Sequence, residues 1–403
     1  MSTASSASTQ SQPTVAIIGG GPAGLITLVT LLKRGVSATL YEREPSAASR
    51  AHLGSMLDLE WDLGQRALRE NGLEEVFKKN SRRDAEETKI YGKDGHLLFH
   101  KVGAEPTDDN LKDARPEIDR RVLRQIMLDA LPDPNAVKWG HVLSSVRPLG
   151  DGKHELTFTN GFTAVTDLIV GADGAHSRIR PLVSPATPIY LGLAGAEISV
   201  AAHVAALPEN RDVSDAVGSG SCYVLQDGKM LGIQRNGDGR IRAYAWHRDS
   251  LDWTLPPDPK EAKKILLDIY ADWAPWMRKF IEIADENAMY NRPLFYLPVG
   301  HRWPHTPGVT LIGDAAHLMG PFAAAGANLA MRDGLDLGLV LSQAITNGLA
   351  SEEREAALAK CEEDVCERGE KFAALTMRNF DMIFSSGAPQ TMVDAFTDTM
   401  SRH

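Results

Sequence analysis

The first structured segment of the chain is an apolar strand that runs into glycines and then into a helix. Residues 14–21 read TVAIIGGG, and residues 22–35 read PAGLITLVTLLKRG. An apolar run that ends in glycine is typical of a buried strand in a parallel sheet, and the spacing that follows predicts a helix closed by Gly35. A second strand at 37–44 completes a strand–helix–strand unit of about 30 residues. At least part of the fold is therefore predicted to be a parallel α/β sheet.

The glycines between this strand and helix have a spacing suited to phosphate binding. Gly19, Gly21 and Gly24 match the pattern GxGxxG. In that motif the first glycine permits a tight turn, the second lets the backbone approach a pyrophosphate, and the third lets the helix pack closely on the sheet. Glu42, near the end of the second strand, is placed to bind a ribose hydroxyl. The alternative is a glycine-rich turn in an α/β protein that binds no nucleotide.

Two later apolar strands each end in an aspartate. The stretch GADGAHSR begins at residue 171, and LIGDAAHLMGP begins at residue 311. Asp173 could close a structural Asx turn. Asp314 could cap the helix that follows it, or it could bind a ribityl or other polyol hydroxyl in the crevice where open α/β sheets hold ligands. Capping and binding are compatible with each other.

The middle of the chain has a different pattern. Residues 222–247 alternate apolar and polar side chains between turns, which predicts an antiparallel meander. It lies in an insertion near 190–290, and residues 325–385 are predicted to be mostly helical. A chain of 403 residues is long for one core. We therefore expect two domains, with the parallel sheet assembled from distant segments.

Composition and charge limit the partners. The net charge of −10 argues against nucleic acid and against an anionic membrane surface. The three cysteines form no CxxC pair, which fits a reducing compartment without disulfides. Residues 1–13 have no signal-peptide pattern and predict a disordered tail. No apolar stretch reaches the roughly 18 residues of a membrane span, so we expect a cytoplasmic protein.

Three motifs, taken together and in order, resemble a known family. GGGPAG, GADGAHSRIR and LIGDAAHLMGP are similar to those of the FAD-dependent aromatic hydroxylases, the class A flavoprotein monooxygenases of the p-hydroxybenzoate hydroxylase type. The resemblance covers roughly residues 14–345. The stretches YERE, GSMLDL, RPEIDRRVLR and IGDAAHLMGPFA look more particularly like the tetracycline-inactivating monooxygenases and related polyketide hydroxylases.

The resemblance implies a fold and a division into domains. The fold is α/β, with a Rossmann-like FAD-binding domain built from discontinuous segments, an antiparallel-sheet substrate domain and a C-terminal bridging helix. The expected FAD-binding domain comprises 14–80, 115–188 and 290–345. The expected substrate-binding domain comprises 81–114 and 189–289, and residues 346–403 form a C-terminal helical region.

The resemblance also implies the chemistry. NADPH or NADH would reduce FAD, O2 would add at the flavin C4a, and the hydroperoxide would pass oxygen to an electron-rich carbon of a phenolic or enolic substrate. The cofactor performs this chemistry, so no catalytic side chain and no metal site are expected. His317 is more readily explained by a structural hydrogen bond than as a base.

Residues carried over from the family form two sets. The expected cofactor-binding residues are Gly19, Gly21, Ala23, Gly24, Glu42, Arg43, Arg120, Leu143, Asp173, Asp314, Pro321, Gly326, Ala327 and Asn328. The expected substrate-binding residues are Glu197, Ser221, Arg242, Tyr244, Pro321 and Phe322. Arg242 could pair with a substrate enolate or carboxylate, or it could lie on the solvent face of the meander.

The chain departs from the family pattern where flavin and substrate should meet. Ala324 and Ala325 replace a glycine and a glutamine, and GSM at 54–56 replaces Gly-Gly-Thr. Alanine disfavours positive φ, which predicts a stiffer loop. The exact substrate, its regiochemistry and the choice between NADPH and NADH stay open, as does whether the altered loop 323–325 preserves hydroxylation.

The favoured hypothesis is a monomeric FAD-dependent monooxygenase acting on a polycyclic phenol or enol, such as a tetracycline or a related polyketide. One alternative is an FAD-dependent oxidase or dehydrogenase on the same fold. The other is a flavoprotein that binds a polycyclic ligand without catalysis. Fold likeness alone does not decide among them.

Overall fold

The computed structural model of the protein describes residues 12–50, 54–102 and 112–400. The predicted disordered tail at 1–13 lies outside these residues, apart from its last two positions. Part of the segment assigned to the substrate domain at 81–114 also lies outside them. In the part of the chain that is described, no helix is both long and apolar enough to cross a membrane.

A parallel sheet of five strands forms the first core. Its strands come from distant parts of the chain, as the sequence predicts, and the first strand lies at the centre. Four residues of that strand are buried, which explains its unbroken apolar run. In spatial order the strands are Val309–Leu311, Leu168–Gly171, Val15–Ile18, Ala38–Tyr41 and Val137–Lys138.

Two helices pack closely against each other beside this sheet. Pro22–Lys33 follows the glycine loop, and Gly326–Thr346 lies across it. A Cβ atom at Gly334 would lie 2.4 Å from the backbone oxygen of Ala23, and one at Gly338 would lie 2.7 Å from the side chain of Thr30. These two glycines therefore allow the close approach of the two helices.

A seven-stranded sheet forms the second core, and it contains the predicted antiparallel meander. All neighbours are antiparallel except one pair, Ser221–Gln226 with Thr88–Tyr91, which is parallel. Helices Pro259–Ile269 and Pro275–Glu282 cover one face through a cluster that includes Ala243. In spatial order the strands are Met289–Asn291, Leu193–Val200, Ile241–Arg248, Lys229–Arg235, Ser221–Gln226, Thr88–Tyr91 and Leu97–Lys101.

The remaining elements are short, except for one long helix. Three small sheets consist of Leu143–Gly150 with Lys153–Phe158 and Thr163–Thr166, Ile189–Tyr190 with Phe295–Tyr296, and Met56–Asp58 with Glu117–Asp119. The other α-helices are Arg66–Arg69, Glu74–Asn80, Arg120–Asp129, Ala202–Ala205, Arg211–Val217, Asp314–His317, Ser351–Ile383 and Gln390–Met400. A π-helical turn spans Trp61–Gln65, and 3-10 turns span Ala47–Arg50, Asp84–Glu86, Pro134–Ala136, Arg180–Leu182, Pro208–Asn210 and Pro321–Ala323.

The long helix Ser351–Ile383 joins the two cores. Leu358 packs into the cluster beneath the parallel sheet, whereas Phe380 packs beside the seven-stranded sheet. The preceding turn at Asn347-Gly348, where Gly348 has a φ of +66°, ends the helix before it.

One predicted helix begins later than expected. The sequence indicates a helix over 118–131, but residues Glu117–Asp119 form a strand and the helix is Arg120–Asp129. Pairing with Met56–Asp58 accounts for the difference, because this long-range contact competes with local helical spacing.

Candidate active site

The glycine loop 19–24 has the geometry of a phosphate cradle. Gly19 has a φ of +107°, and a Cβ atom there would lie 2.3 Å from the oxygen of Ala172. A Cβ atom at Gly24 would lie 2.1 Å from the oxygen of Gly19, whereas one at Gly21 would meet no atom within 4 Å. Gly21 also precedes the N-terminus of helix Pro22–Lys33, where backbone N–H groups favour an anion. The space above Gly21 is therefore suited to a pyrophosphate.

Glu42 lies beside this loop. It is 5% exposed, and its two oxygens accept hydrogen bonds from the backbone N–H groups of Gly20 at 2.5 Å and Glu44 at 2.9 Å. An ionised carboxylate can accept about four hydrogen bonds, so capacity remains for ribose hydroxyls. Arg43 points to solvent, with 67% of its side chain exposed and a 3.9 Å contact to Glu44.

Asp314 is the first residue of helix Asp314–His317. Gly313 occupies the capping position, so the predicted capping role of Asp314 is wrong. Among the described residues we find no hydrogen-bond partner for its carboxylate, which is exposed to the space beyond the strand ends. Enclosure by surrounding protein raises the pKa of Asp314, while the charges of His317, Arg120 and Arg180 oppose that rise. An acceptor in this position is available for a ligand hydroxyl.

Arg120 approaches the same space from the start of helix Arg120–Asp129. It is exposed, and it covers Gly54, where a Cβ atom would lie 2.8 Å from the Arg120 Cδ. The space bounded by the glycine loop, Gly54, Arg120, Asp314 and the loop 318–325 is called the crevice below. The structure thus brings the expected glycines, Arg120 and Asp314 to one place.

Asp173 belongs to a tightly bonded turn. Its carboxylate accepts hydrogen bonds from the Ser177 Oγ at 2.5 Å and the Arg178 backbone N–H at 2.7 Å. These contacts fit the Asx-type structural role that the sequence left open. Burial raises the pKa of Asp173, and the same hydrogen bonds oppose the rise.

Arg180, which the sequence did not single out, joins the second and third aspartate motifs. It is 2% exposed, and its guanidinium donates to the oxygens of Ala175 at 2.9 Å, Ala315 at 2.8 Å and Asp314 at 3.2 Å. Burial lowers the pKa of Arg180 while Asp173 and Asp314 oppose the change. Arg180 therefore connects the turn that presents Asp314 to the turn that contains Asp173.

Two of the expected cofactor residues have side chains committed elsewhere. Leu143 is buried in the cluster around Tyr41 and Phe158. Asn328 is completely buried: its Oδ1 accepts from the N–H groups of Glu60 and Gly64, and its Nδ2 donates to the oxygen of Asp58 at 2.8 Å. Neither side chain is available to a cofactor, so only their backbones could make a contact.

The loop 321–327 has the strained geometry that its alanines suggest. Pro321 is exposed and Ala325 is buried, and Ala324 is left-handed with φ +51° and ψ 24°. A left-handed residue with a Cβ atom costs roughly 1–2 kcal/mol. Gly326 begins helix Gly326–Thr346 with open space at its Cβ position, and half-buried Ala327 follows it.

An aromatic wall lines the face of the seven-stranded sheet that is turned toward this loop. Tyr244 stacks on Trp246 with ring centroids 4.9 Å apart, and Trp246 meets Phe322 edge-on at 6.0 Å. Phe322 in turn lies 5.7 Å from both Phe380 and Phe384. The Tyr244 hydroxyl is 3.3 Å from the Ser55 Oγ. Such a wall can pack against a flat, fused-ring molecule.

Glu197 and Arg242 lie on this same sheet face but bind each other. The Arg242 Nη1 is 2.6 Å from the Glu197 Oε1, and the Arg292 Nη2 is 2.7 Å from the Glu197 Oε2. Glu197 and Arg242 are 2% and 5% exposed. The alternative that Arg242 lies on a solvent face is wrong, and its guanidinium is already paired with a carboxylate within the chain. Ser221 is also buried and accepts a hydrogen bond from Gln234 at 3.2 Å.

A pair of carboxyl groups near Gln234 was not predicted from the sequence. Asp58 and Glu117 lie directly opposite each other on paired strands, and the Gln234 Nε2 donates to the Glu117 Oε2 at 2.7 Å. Burial raises the pKa of Asp58 to about 6 and that of Glu117 to about 8, where the neighbouring Asp58 adds to the effect. Each residue lies in a stretch quoted for the tetracycline enzymes, but only the long-range strand pairing brings them together.

A comparison with known proteins decides the family. The model of the FAD binding domain family matches residues 12–363. The chain belongs to this family of FAD-binding proteins. It is also 31% identical to the monooxygenase asqM of Emericella nidulans, over 94% of this chain and 97% of that protein. The predicted membership of the class A flavin monooxygenases is therefore confirmed.

Solved structures of other proteins share the fold. HpxO of Klebsiella pneumoniae, complexed with FAD and uric acid, superposes with a TM-score of 0.76 at 21% identity, covering 97% of this chain and 93% of that one. The tetracycline destructase Tet(51) gives a TM-score of 0.68 at 19% identity, covering 97% and 96%. Because Tet(51) is not more similar than HpxO, the narrower resemblance to the tetracycline enzymes stays a prediction.

The residues of this family member fit an FAD molecule. The cradle is open above Gly21, Glu42 retains acceptor capacity, and the Asp314 carboxylate lacks a protein partner among the described residues. These three features match a pyrophosphate, a ribose and a ribityl chain. In the described residues no group of His, Cys, Asp and Glu is arranged to hold a metal ion.

Proposed function

We propose that this FAD-dependent monooxygenase uses NADPH or NADH and O2 to hydroxylate a polycyclic phenolic or enolic small molecule. The observation that carries the proposal is the adjacency of Asp314 and the aromatic wall. Phe322 follows Asp314 closely in the chain and its ring contacts Trp246 and Phe380. A flavin ring placed by Asp314 would thus lie beside a surface that favours flat aromatic rings.

The residues of this chain would bind and orient rather than react. Gly19, Gly21 and Gly24 would hold the pyrophosphate, Glu42 the ribose and Asp314 the ribityl hydroxyls. Bound FAD supplies the chemistry, because the flavin takes electrons from the nicotinamide cofactor and activates O2 for transfer of one oxygen atom. No side chain is required as a nucleophile or a metal ligand.

Further cofactor contacts come from residues around the crevice. Arg120 reaches the crevice from the start of helix Arg120–Asp129. Pro321, Gly326 and Ala327 border the crevice from the loop 321–327. Ala23 contributes through the backbone at the helix N-terminus. The nicotinamide cofactor would bind transiently, since the sequence has no second GxGxxG unit that joins a strand to a helix.

The substrate would pack between the flavin and the aromatic wall. Tyr244 and Phe322 supply ring contacts, and the Tyr244 hydroxyl offers one polar contact. A tetracycline or related polyketide fits this description, and Tet(51) is by its title a tetracycline destructase. We further propose a cytoplasmic monomer without nucleic-acid or membrane partners; the net charge of −10 supports the absence of nucleic-acid and anionic-membrane partners.

The test is oxygen transfer. Purified protein with FAD is mixed with NADPH or NADH and a tetracycline or another polycyclic phenol under ¹⁸O2, and the product mass is measured. The proposal expects stimulated nicotinamide oxidation and a product that carries one labelled oxygen atom. Stimulated oxidation that yields only hydrogen peroxide would indicate an oxidase, and ligand binding without any oxidation would indicate a non-catalytic flavoprotein.

A further inference from the structure

Asp333 is a buried carboxylate that accepts hydrogen bonds from three donors, two on the turn around Asp314 and one on helix Ser351–Ile383. It lies in helix Gly326–Thr346 with 0% exposure. Its Oδ2 is 2.5 Å from the His317 Nε2 and 3.1 Å from the Gly313 backbone N–H, and its Oδ1 is 3.1 Å from the Arg368 Nη2. Burial alone would raise the pKa of Asp333, but His317 and Arg368 hold it below its usual range. Asp333 is therefore an anion inside the core.

Two of these donors bracket Asp314. Gly313 immediately precedes it, and His317 ends the four-residue helix that Asp314 begins. Asp333 thus holds the turn at both ends. The His317 ring is also confined, because a Cβ atom at Gly369 would lie 2.8 Å from the His317 Cβ. The turn has little freedom to move the Asp314 carboxylate.

The same contacts set the charge beside Asp314. His317 is 6% exposed, and burial would lower its pKa, but Asp333 raises it above the usual value, with Asp314 adding to the effect. His301, from the segment before the last parallel strand, also faces His317, and burial lowers the pKa of His301. The contact with Asp333 therefore favours the protonated form of His317.

Among the described residues, three basic groups act on the charge of Asp314. His317 comes from its own turn, Arg120 from helix Arg120–Asp129 and Arg180 from the turn Arg180–Leu182. They oppose the effect of enclosure and favour the ionised carboxylate. An ionised acceptor forms stronger hydrogen bonds to hydroxyls than a neutral one.

We propose that Asp333 is a positioning residue for FAD, which fixes the turn that presents Asp314 and keeps a positive charge on His317 beside that carboxylate. The proposal rests on the FAD-binding role proposed for Asp314. Sequence alone gives no sign of it, since Asp333 lies 16 residues from His317 in the middle of a helix.

FAD affinity measured against pH tests this role. Apoprotein is titrated with FAD, followed by quenching of flavin fluorescence, from about pH 6 to about pH 8, the range in which imidazoles titrate. Asp333→Asn keeps the shape but removes the charge. We expect a loss of FAD affinity of about tenfold or more, the scale of one hydrogen bond to a charged group. For Asp333→Asn the loss should ease toward low pH, because His317 without the Asp333 charge regains its proton there.

Two variants separate positioning from general damage. Asp336→Asn alters a neighbouring carboxylate that also binds Arg368, at 3.0 Å, but does not touch the Asp314 turn. Asp336 also binds Arg332, at 2.9 Å. Asp336→Asn should keep FAD affinity within about twofold of wild type, because neither ion pair of Asp336 involves Gly313 or His317. His317→Gln keeps a hydrogen-bonding group toward Asp333 but carries no charge at any pH, so its loss of FAD affinity should not ease toward low pH.

The outcomes are distinguishable. Circular dichroism of each apoprotein shows whether it folds, and if Asp333→Asn does not fold, His317→Gln decides alone. A folded Asp333→Asn or His317→Gln that binds FAD with wild-type affinity and pH dependence overturns the inference. Failure of the wild type itself to bind FAD would instead contradict the proposed function.

Discussion

The guanidinium of Arg242 lies 2.6 Å from the carboxylate of Glu197, and both are almost completely buried on the sheet face that bears the aromatic wall. Arg292 contacts the second oxygen of the same carboxylate at 2.7 Å. These contacts link adjacent antiparallel strands beside the candidate substrate position. Arg242 therefore stabilises the wall from within, and a substrate anion would have to compete with Glu197 for it.

Removal of Arg242 should be strongly destabilising. Arg242→Met leaves Glu197 buried with one cation fewer, and the loss of one partner of a buried ion pair costs about 3–5 kcal/mol. Urea unfolding measures the change. Arg147→Met is the matched control, because Arg147 also contacts a glutamate at 2.9 Å but is 65% exposed. The control should change stability by less than about 1 kcal/mol, and equal losses in the two variants would contradict this account.

The strained loop gives a prediction of opposite sign. Ala324 has a φ of +51°, so Ala324→Gly removes a steric cost of about 1–2 kcal/mol. The substitution also gives the unfolded chain more conformational entropy, which lowers the free energy of unfolding by about 0.4–1 kcal/mol. We expect a net gain of roughly 0.5–1 kcal/mol in the free energy of unfolding. The neighbouring Ala323→Gly has no positive φ to relieve and should be destabilising by about 0.5–1 kcal/mol. A loss of stability in Ala324→Gly would show that the loop is not strained at that position.

Two glycines of the cradle should fail in different ways. Gly21→Val meets no protein atom within 4 Å of its Cβ, so the apoprotein should fold while the side chain blocks the pyrophosphate. Gly24→Ala places a Cβ 2.1 Å from the Gly19 oxygen, so it should destabilise the fold itself. Thermal unfolding and FAD titration separate the two effects. A Gly21→Val protein that is purified yellow with bound FAD would refute the placement of the pyrophosphate.

Sequence reasoning located those glycines because their signal is local. A strand end, a turn and a helix start lie within a few residues of each other, and so do the features around Asp173 and Asp314. The Asp58–Glu117 pair and the Asp333 contacts have no such signal, since each depends on elements that meet only in the folded chain. For Arg242 the alternating pattern placed the side chain on one of two faces, but the pattern could not identify Glu197 as its partner.

The Asp58–Glu117 pair predicts a dependence of stability on pH. Burial raises the pKa of Glu117 from 4.5 to about 8, so between these values the folded protein holds a proton that the unfolded chain releases. The free energy of unfolding should therefore fall as pH rises from about 5 to about 8. Asp58, with its pKa raised to about 6, adds to the same trend.

Glu117→Gln should flatten this pH profile. Glutamine keeps an oxygen that accepts the hydrogen bond of Gln234, and it has no proton to lose. At about pH 8 the variant should be more stable than wild type by on the order of 2 kcal/mol. Urea unfolding of the apoproteins across pH measures this difference. Glu155→Gln is the control, because Glu155 is partly exposed, and it should leave the slope of stability against pH unchanged. An identical slope in wild type and Glu117→Gln would exclude a proton on the pair.

The central claim is that the Asp314 carboxylate serves to bind the ribityl hydroxyls of FAD. Among the described residues it has no hydrogen-bond partner, and enclosure disfavours its charge more than His317, Arg120 and Arg180 favour it, so the charge is a net cost to the apoprotein. The most direct test is the visible absorbance spectrum of Asp314→Ala, purified beside wild type with FAD present and checked for folding by thermal unfolding. We predict a flavin spectrum in wild type only, with a variant at least as stable as the wild-type apoprotein. A folded Asp314→Ala that retains stoichiometric FAD would contradict the account.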